Sequence, residues 1–139
     1  HHSCFLLGKG QSESIAREGA LKIKEISYIH AEGYSTSSLK HGPFALLCEK
    51  FPVVLIAPNN EHYAKNENAY EEISSRHATI IYISDKEVDK ENTLKIENNE
   101  NFRDFLSIIP LQLLAYKLSL ARGLNPDMPR NLAKVVTVE

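Results

Sequence analysis

Runs of apolar residues with almost no polar interruption govern what this chain can fold into. V-V-L-I-A, Val53 to Ala57, and T-I-I-Y-I-S, Thr79 to Ser84, each have strand length and show no alternation between apolar and polar positions. A strand that is apolar on both sides has to be covered on both faces, as in the interior of a parallel sheet. C-F-L-L, Cys4 to Leu7, is a third run; it ends at Gly8-Lys9-Gly10 and reads as a strand entering a tight turn.

The segments between these runs have helical character. Ser12 or Ser14 is placed to cap a helix that the pattern carries to about His30. Gly33 to Ser38 reads as a turn of small polar residues, and Leu39 to Cys48 as a short helix with Gly42 and Pro43 in its first turns. Glu61 to His77 is a polar amphipathic helix, and Leu94 to Ile96 a short edge strand. Phe102 to Arg122 is a long helix that Pro110 either kinks or opens. Strands alternating with helices predict right-handed βαβ units, hence an α/β domain with a parallel sheet and helices on both faces. Residues 1–124 form this domain, and 125–139 are a tail with no clear period until V-V-T-V.

A chain of 139 residues fits one such domain. Its net charge of -2, with 16 dispersed basic residues, gives no reason to expect nucleic acid or an anionic membrane as a partner. The longest apolar region, Phe102 to Leu120, carries Arg103, Asp104, Lys117 and Pro110, so no segment is expected to span a bilayer. Cys4 and Cys48 lie far apart in apolar surroundings and are expected to be buried, reduced thiols of a cytoplasmic protein. His30, His41, His62 and His77 lack metal-ligand spacing, so neither a metal nor a cofactor is expected. No G-x-S-x-G elbow is present, and Gly8-Lys9-Gly10 is too short for a dinucleotide fingerprint. His1-His2 is either native or a tag remnant, and the lack of an initiator methionine suggests a piece of a longer chain.

The residues that could carry chemistry lie on the first helix. At roughly 100° per residue, Glu18, Lys22 and Glu25 fall within an arc of roughly 60°, while Arg17 and Lys24 project from another side. Such a row is either a surface ladder of ion pairs or a carboxylate–ammonium–carboxylate face. In the second case one carboxylate moves a proton while the ammonium steadies an oxyanion. Spacing does not choose between them. His41 is likewise either an ordinary histidine near a helix start or a site residue fixed by Gly42-Pro43. Ser35 to Ser38 read as a capping turn or a phosphate loop, although they follow a helix rather than a strand.

E-G-A-L-K-I-K-E-I-S-Y-I-H-A-E, L-K-H-G-P, P-L-Q-L-L-A-Y and P-R-N-L-A-K-V-V-T-V-E, in this order, span essentially the whole chain. Together they resemble the C-terminal sugar-isomerase (SIS) domain of the glutamine–fructose-6-phosphate aminotransferases, which make glucosamine 6-phosphate. The resemblance implies a flavodoxin-like three-layer fold with about five parallel strands. It also implies a homodimer whose subunits each carry a glutaminase domain and a first sugar-isomerase domain ahead of this one. Fructose 6-phosphate is the implied substrate, opened, aminated at C2 and isomerised by a C1-to-C2 proton shift. Glu25 matches the base for that shift, Glu18 its partner carboxylate, and Lys22 the lysine near the sugar hydroxyls. His41 matches the ring-opening histidine that reaches the neighbouring subunit's site, and Lys134 the lysine that forms a Schiff base with the sugar.

Two departures stand out: Ser37-Ser38 replaces the family's Gly-Glu before L-K-H-G-P, and Gly8-Lys9-Gly10 replaces G-R-G. The family's phosphate cradle and its glutaminase cysteine have no counterpart here, so this piece alone is expected to be inactive. A sugar-phosphate-binding regulatory module and a sugar-phosphate deglycase of the same fold are the alternatives. The regulatory module has no need of the full set Glu18, Lys22, Glu25, His41 and Lys134, and the P-R-N-L-A-K tail ending in V-T-V-E argues against the deglycase.

Overall fold

The computed structural model describes residues 2–132. In chain order these form β1 (Ser3–Gly8), α1 (Gln11–Ser27), β2 (His30–Ser35), two 3-10 turns (Thr36–His41 and Pro43–Leu46) and β3 (Pro52–Ile56). There follow α2 (Tyr63–Ser74), β4 (Thr79–Ser84), β5 (Thr93–Lys95) and α3 (Arg103–Ala121). All five strands are parallel, in the order β2-β1-β3-β4-β5. This is the flavodoxin-like doubly wound order expected above.

Alternation along each buried strand produces two cores. Cys4, Leu6, Val54, Ile56 and Ile83 face the layer of α1 and α3, where they meet Ala16, Ala20, Ile23, Leu111 and Ala115. Phe5, Leu7, Val53, Leu55 and Tyr82 face the other layer and meet Leu39, Leu47, Phe51 and Ile73. Unbroken apolar runs are therefore required, since both faces of β1, β3 and β4 are dry.

Several expectations are corrected. His30–Ser35 is a strand, not a helix end followed by a turn; it lies at the sheet edge, where only Ala31 is fully buried, and so lacks an apolar run. The first helix ends instead at Tyr28, whose left-handed backbone (φ 57) stops it. Neither Ser12 nor Ser14 caps α1: Gly10 is the N-cap, and Ser12 is buried and donates to Asp104 Oδ1 at 2.6 Å. Leu39 to Cys48 is not one helix but the two 3-10 turns, parted at Gly42 (φ 138). Cys4 is buried, but Cys48 is exposed, because it follows the second 3-10 turn out to the surface. Pro110 lies inside α3 and neither opens nor ends it.

α3 also meets, by length and composition alone, the requirements of a membrane span, with a mean hydropathy of 1.3 over its best window despite its charges. In the fold it is a packing helix: Ser107, Leu111, Ala115 and Ser119 form a fully buried row in the layer it shares with α1.

Candidate functional site

α1 turns Ser12, Ala16, Gly19, Ala20, Ile23 and Ser27 inward. The opposite side carries the row picked out in the sequence. Lys22 Nζ lies 2.8 Å from Glu25 Oε2 and 3.4 Å from Glu18 Oε1. The Glu25 side chain is 28% exposed and that of Glu18 46%, so the row is neither dry nor fully solvated. The hydrogen bond to Glu25 is the main cause that raises the Lys22 pKa; burial opposes it, and the charges of Glu25 and Glu18 add to the rise. Lys22 is therefore a firm ammonium at neutral pH. Arg17 pairs with Glu13 at 2.7 Å, apart from this row.

The row does not line any of the principal clefts of the described residues. The largest, about 610 Å³, lies over the C-terminal ends of β1 and β3 and is lined by Gly10, Asn59, Asn60, His62, Arg103 and Asp104 among others. That is where the strand order reverses, the place where open α/β sheets form a crevice. Sequence reasoning missed it, because only the strand order reveals it. Beneath it, buried Asp85 accepts the Asn59 N–H at 2.6 Å and faces Arg103 Nε at 4.0 Å, while Arg103 donates to the Asn59 carbonyl.

His41 ends an arm anchored at four points. The Thr36 hydroxyl donates to Asn66 Oδ1 at 3.2 Å inside the core, and Lys9 Nζ donates to Ser37 Oγ. Leu39 is buried against β1 and β3 residues, and Lys40 pairs with Glu72 at 2.6 Å. The two departures from the family pattern thus touch: Lys9 of the β1 turn holds Ser37. His41 itself is exposed, and its ring bonds to no described residue.

The fold separates His41 from the row. Glu25 precedes β2 and lies at the end of α1, beside the N-terminal edge of the sheet; His41 follows β2 at the opposite edge. Six residues of strand, about 20 Å, lie between these edges. The arm also packs on the α2 face of the sheet, whereas α1 covers the other.

Lys134 lies outside the described residues. The tail leading to it does return to α1: the Arg130 N–H donates to Tyr28 Oη at 2.8 Å. Among the described residues, no cluster of His, Cys, Asp and Glu is arranged to hold a metal.

The SIS domain family model matches residues 1–122. A protein of Acanthamoeba polyphaga mimivirus, named "probable glutamine–fructose-6-phosphate aminotransferase (isomerizing)", is 56% identical over 140 residues, covering 99% of this chain and 23% of that protein. Among solved structures, the C-terminal domain of the Francisella tularensis glucosamine-fructose-6-phosphate aminotransferase superposes with a TM-score of 0.85 at 36% identity. The match covers 91% of this chain and 38% of that one. Glucosamine-6-phosphate deaminase of Thermotoga maritima follows at TM-score 0.78 and 28% identity, over 98% of this chain and 40% of that one. The chain spans about a quarter of the length of the curated relatives it matches, 23% and 24% for two of them.

Proposed function

The chain belongs to the SIS domain family, and from that premise we propose that it is the isomerase half-site of a cytoplasmic, dimeric glutamine–fructose-6-phosphate aminotransferase. Its substrate is then fructose 6-phosphate and its product glucosamine 6-phosphate. The observation that carries the reading is the row on α1, where one ammonium lies 2.8 Å and 3.4 Å from two half-exposed carboxylates.

The chemistry follows from those groups. His41 of the neighbouring subunit opens the sugar ring. The Lys134 amine adds to the C2 carbonyl and water leaves, giving an iminium. Ammonia released by a glutaminase domain elsewhere in the protein then displaces the lysine. The cation acidifies the neighbouring C1–H because it accepts the electron pair, so Glu25 removes that proton and returns it at C2. Lys22 stabilises negative charge on the sugar oxygens, and Glu18 holds Lys22 from the other side. A row outside the principal clefts of the described residues fits a half-site whose facing wall belongs to the remaining three quarters of such a protein.

A regulatory sugar-phosphate module would share the fold but has no use for a proton-transfer row. In the full-length protein, Glu25→Gln should abolish solvent exchange of the C1 hydrogen, a loss of at least about 10²-fold, while fructose 6-phosphate still binds. Undiminished exchange would overturn the reading.

A further inference from the structure

Beside the arm that ends in His41, hydrogen-bond donors outnumber acceptors. A groove of about 180 Å³ runs between the foot of the arm and α2, lined by Thr36, Ser37, Lys40, Lys65, Asn68 and Glu72 among others. The Thr36 hydroxyl is engaged inward, donating to Asn66 Oδ1 at 3.2 Å. Ser37 is in the opposite situation. Its oxygen accepts from Lys9 Nζ, so its own hydrogen remains to be donated, and it meets no acceptor among the described residues. An ammonium on the hydroxyl oxygen polarises the O–H and makes it a better donor to an anion.

Two more donors are open. Lys65 makes no hydrogen bond or ion pair with any described residue, and neither does the Asn68 side-chain amide. Lys40 completes the set, 2.6 Å from Glu72, the one carboxylate among the described residues that line the groove. Three lysines, counting Lys9 behind Ser37, thus stand against a single carboxylate that is already paired. Ammonium groups, a hydroxyl and an amide lining one groove are the donor set that suits the oxygens of a phosphate. Volume narrows the choice: the groove is smaller than the roughly 300 Å³ at which pockets for whole small molecules begin, so it takes a phosphate group rather than a nucleotide. Ser37 stands where the family pattern has glycine, so this hydroxyl is particular to the chain.

We propose that the groove is an anion site for a phosphate group, free or at the end of a small monoester. The bound anion bridges Ser37 and Lys40 of the arm to Lys65 and Asn68 of α2, and so fixes the foot of the arm that carries His41. The site stands independently of the isomerase reading.

The experiment uses the full-length protein, with glucosamine 6-phosphate added first to fill the substrate site. Inorganic phosphate and glycerol 3-phosphate are then titrated separately, and binding is read by phosphorus NMR of the added probe. Lys65→Gln should weaken binding about tenfold and Ser37→Ala about threefold, the scales of a charge-assisted and a neutral hydrogen bond. Lys65 is exposed and unpartnered among the described residues, so its variant removes no contact of the described fold. Glu72→Gln should tighten binding about threefold by releasing Lys40 to the anion, a gain that a damaged fold does not produce. Hydrogen–deuterium exchange over residues 36–47 should slow when phosphate is added to the wild type and stay unchanged in Lys65→Gln. Tighter binding of glycerol 3-phosphate would make a phosphate monoester the natural occupant, and tighter binding of inorganic phosphate the free ion; either supports the site. Equal affinities in the wild type, Lys65→Gln and Ser37→Ala, or no binding of either probe at millimolar concentration, would overturn it.

Discussion

Lys22 separates two carboxylates two helical turns apart, and its retention of charge is what the row requires. Replacing it by methionine leaves Glu18 and Glu25 without their shared cation while keeping the length of the side chain. In the full-length protein, Lys22→Met should lower kcat by about 10²-fold, the scale of losing one charge-stabilising group. Melting should show a destabilisation below about 1 kcal/mol, since both ion pairs are partly solvated. A large stability loss with intact turnover would make the row a structural ladder. The cysteines are a second case at this scale. Burial pushes the Cys4 thiol up to about 11, whereas Cys48 is exposed. Iodoacetamide at pH 8 should therefore alkylate Cys48 and spare Cys4 until the chain unfolds, as read by peptide mass. The helical row was legible because it depends only on local spacing. The exposure of Cys48 was not, because it depends on how two 3-10 turns leave the core.

At the scale of elements, β2 shows where local signals fail. Its sequence, H-A-E-G-Y-S, reads as the end of a helix followed by a turn from Gly33, yet it pairs with β1 along its whole length. Gly33 is the residue that misleads, and the fold gives the reason for it. A Cβ there would lie 2.5 Å from Arg17 Cα and 2.6 Å from Arg17 N, atoms of the α1 backbone that no rotamer can move away. The glycine thus marks a close helix–strand approach rather than a turn. Gly33→Ala should force β2 and α1 apart at a cost of about 2–3 kcal/mol. Thermal unfolding of the variant should begin about 8–12 °C lower. An unchanged Tm would mean that the edge strand yields freely. By contrast, β3 and β4 were legible at once, since a strand dry on both faces needs little context.

Across the whole molecule, the parallel sheet followed from alternation of apolar runs and helices, but the cleft at the β1/β3 reversal did not, because strand order is a tertiary property. The same order decides how His41 can act. It follows β2 at the C-terminal edge of the sheet on the α2 face, while Glu25 lies by the N-terminal edge on the α1 face. No rotation of side chains spans that separation, so the function proposed above requires the His41 that serves Glu25 to come from a neighbouring subunit. Subunit mixing tests this. Full-length Glu25→Gln and His41→Ala variants should each be nearly inactive as homodimers. In a mixed dimer, one site collects both defects, while the other receives an intact Glu25 and an intact His41. Unfolding and refolding the two together, with half the dimers mixed, should restore about a quarter of wild-type activity. Activity that stays at the level of the separate variants would place His41 and Glu25 in the same subunit's site and contradict the fold's separation of them.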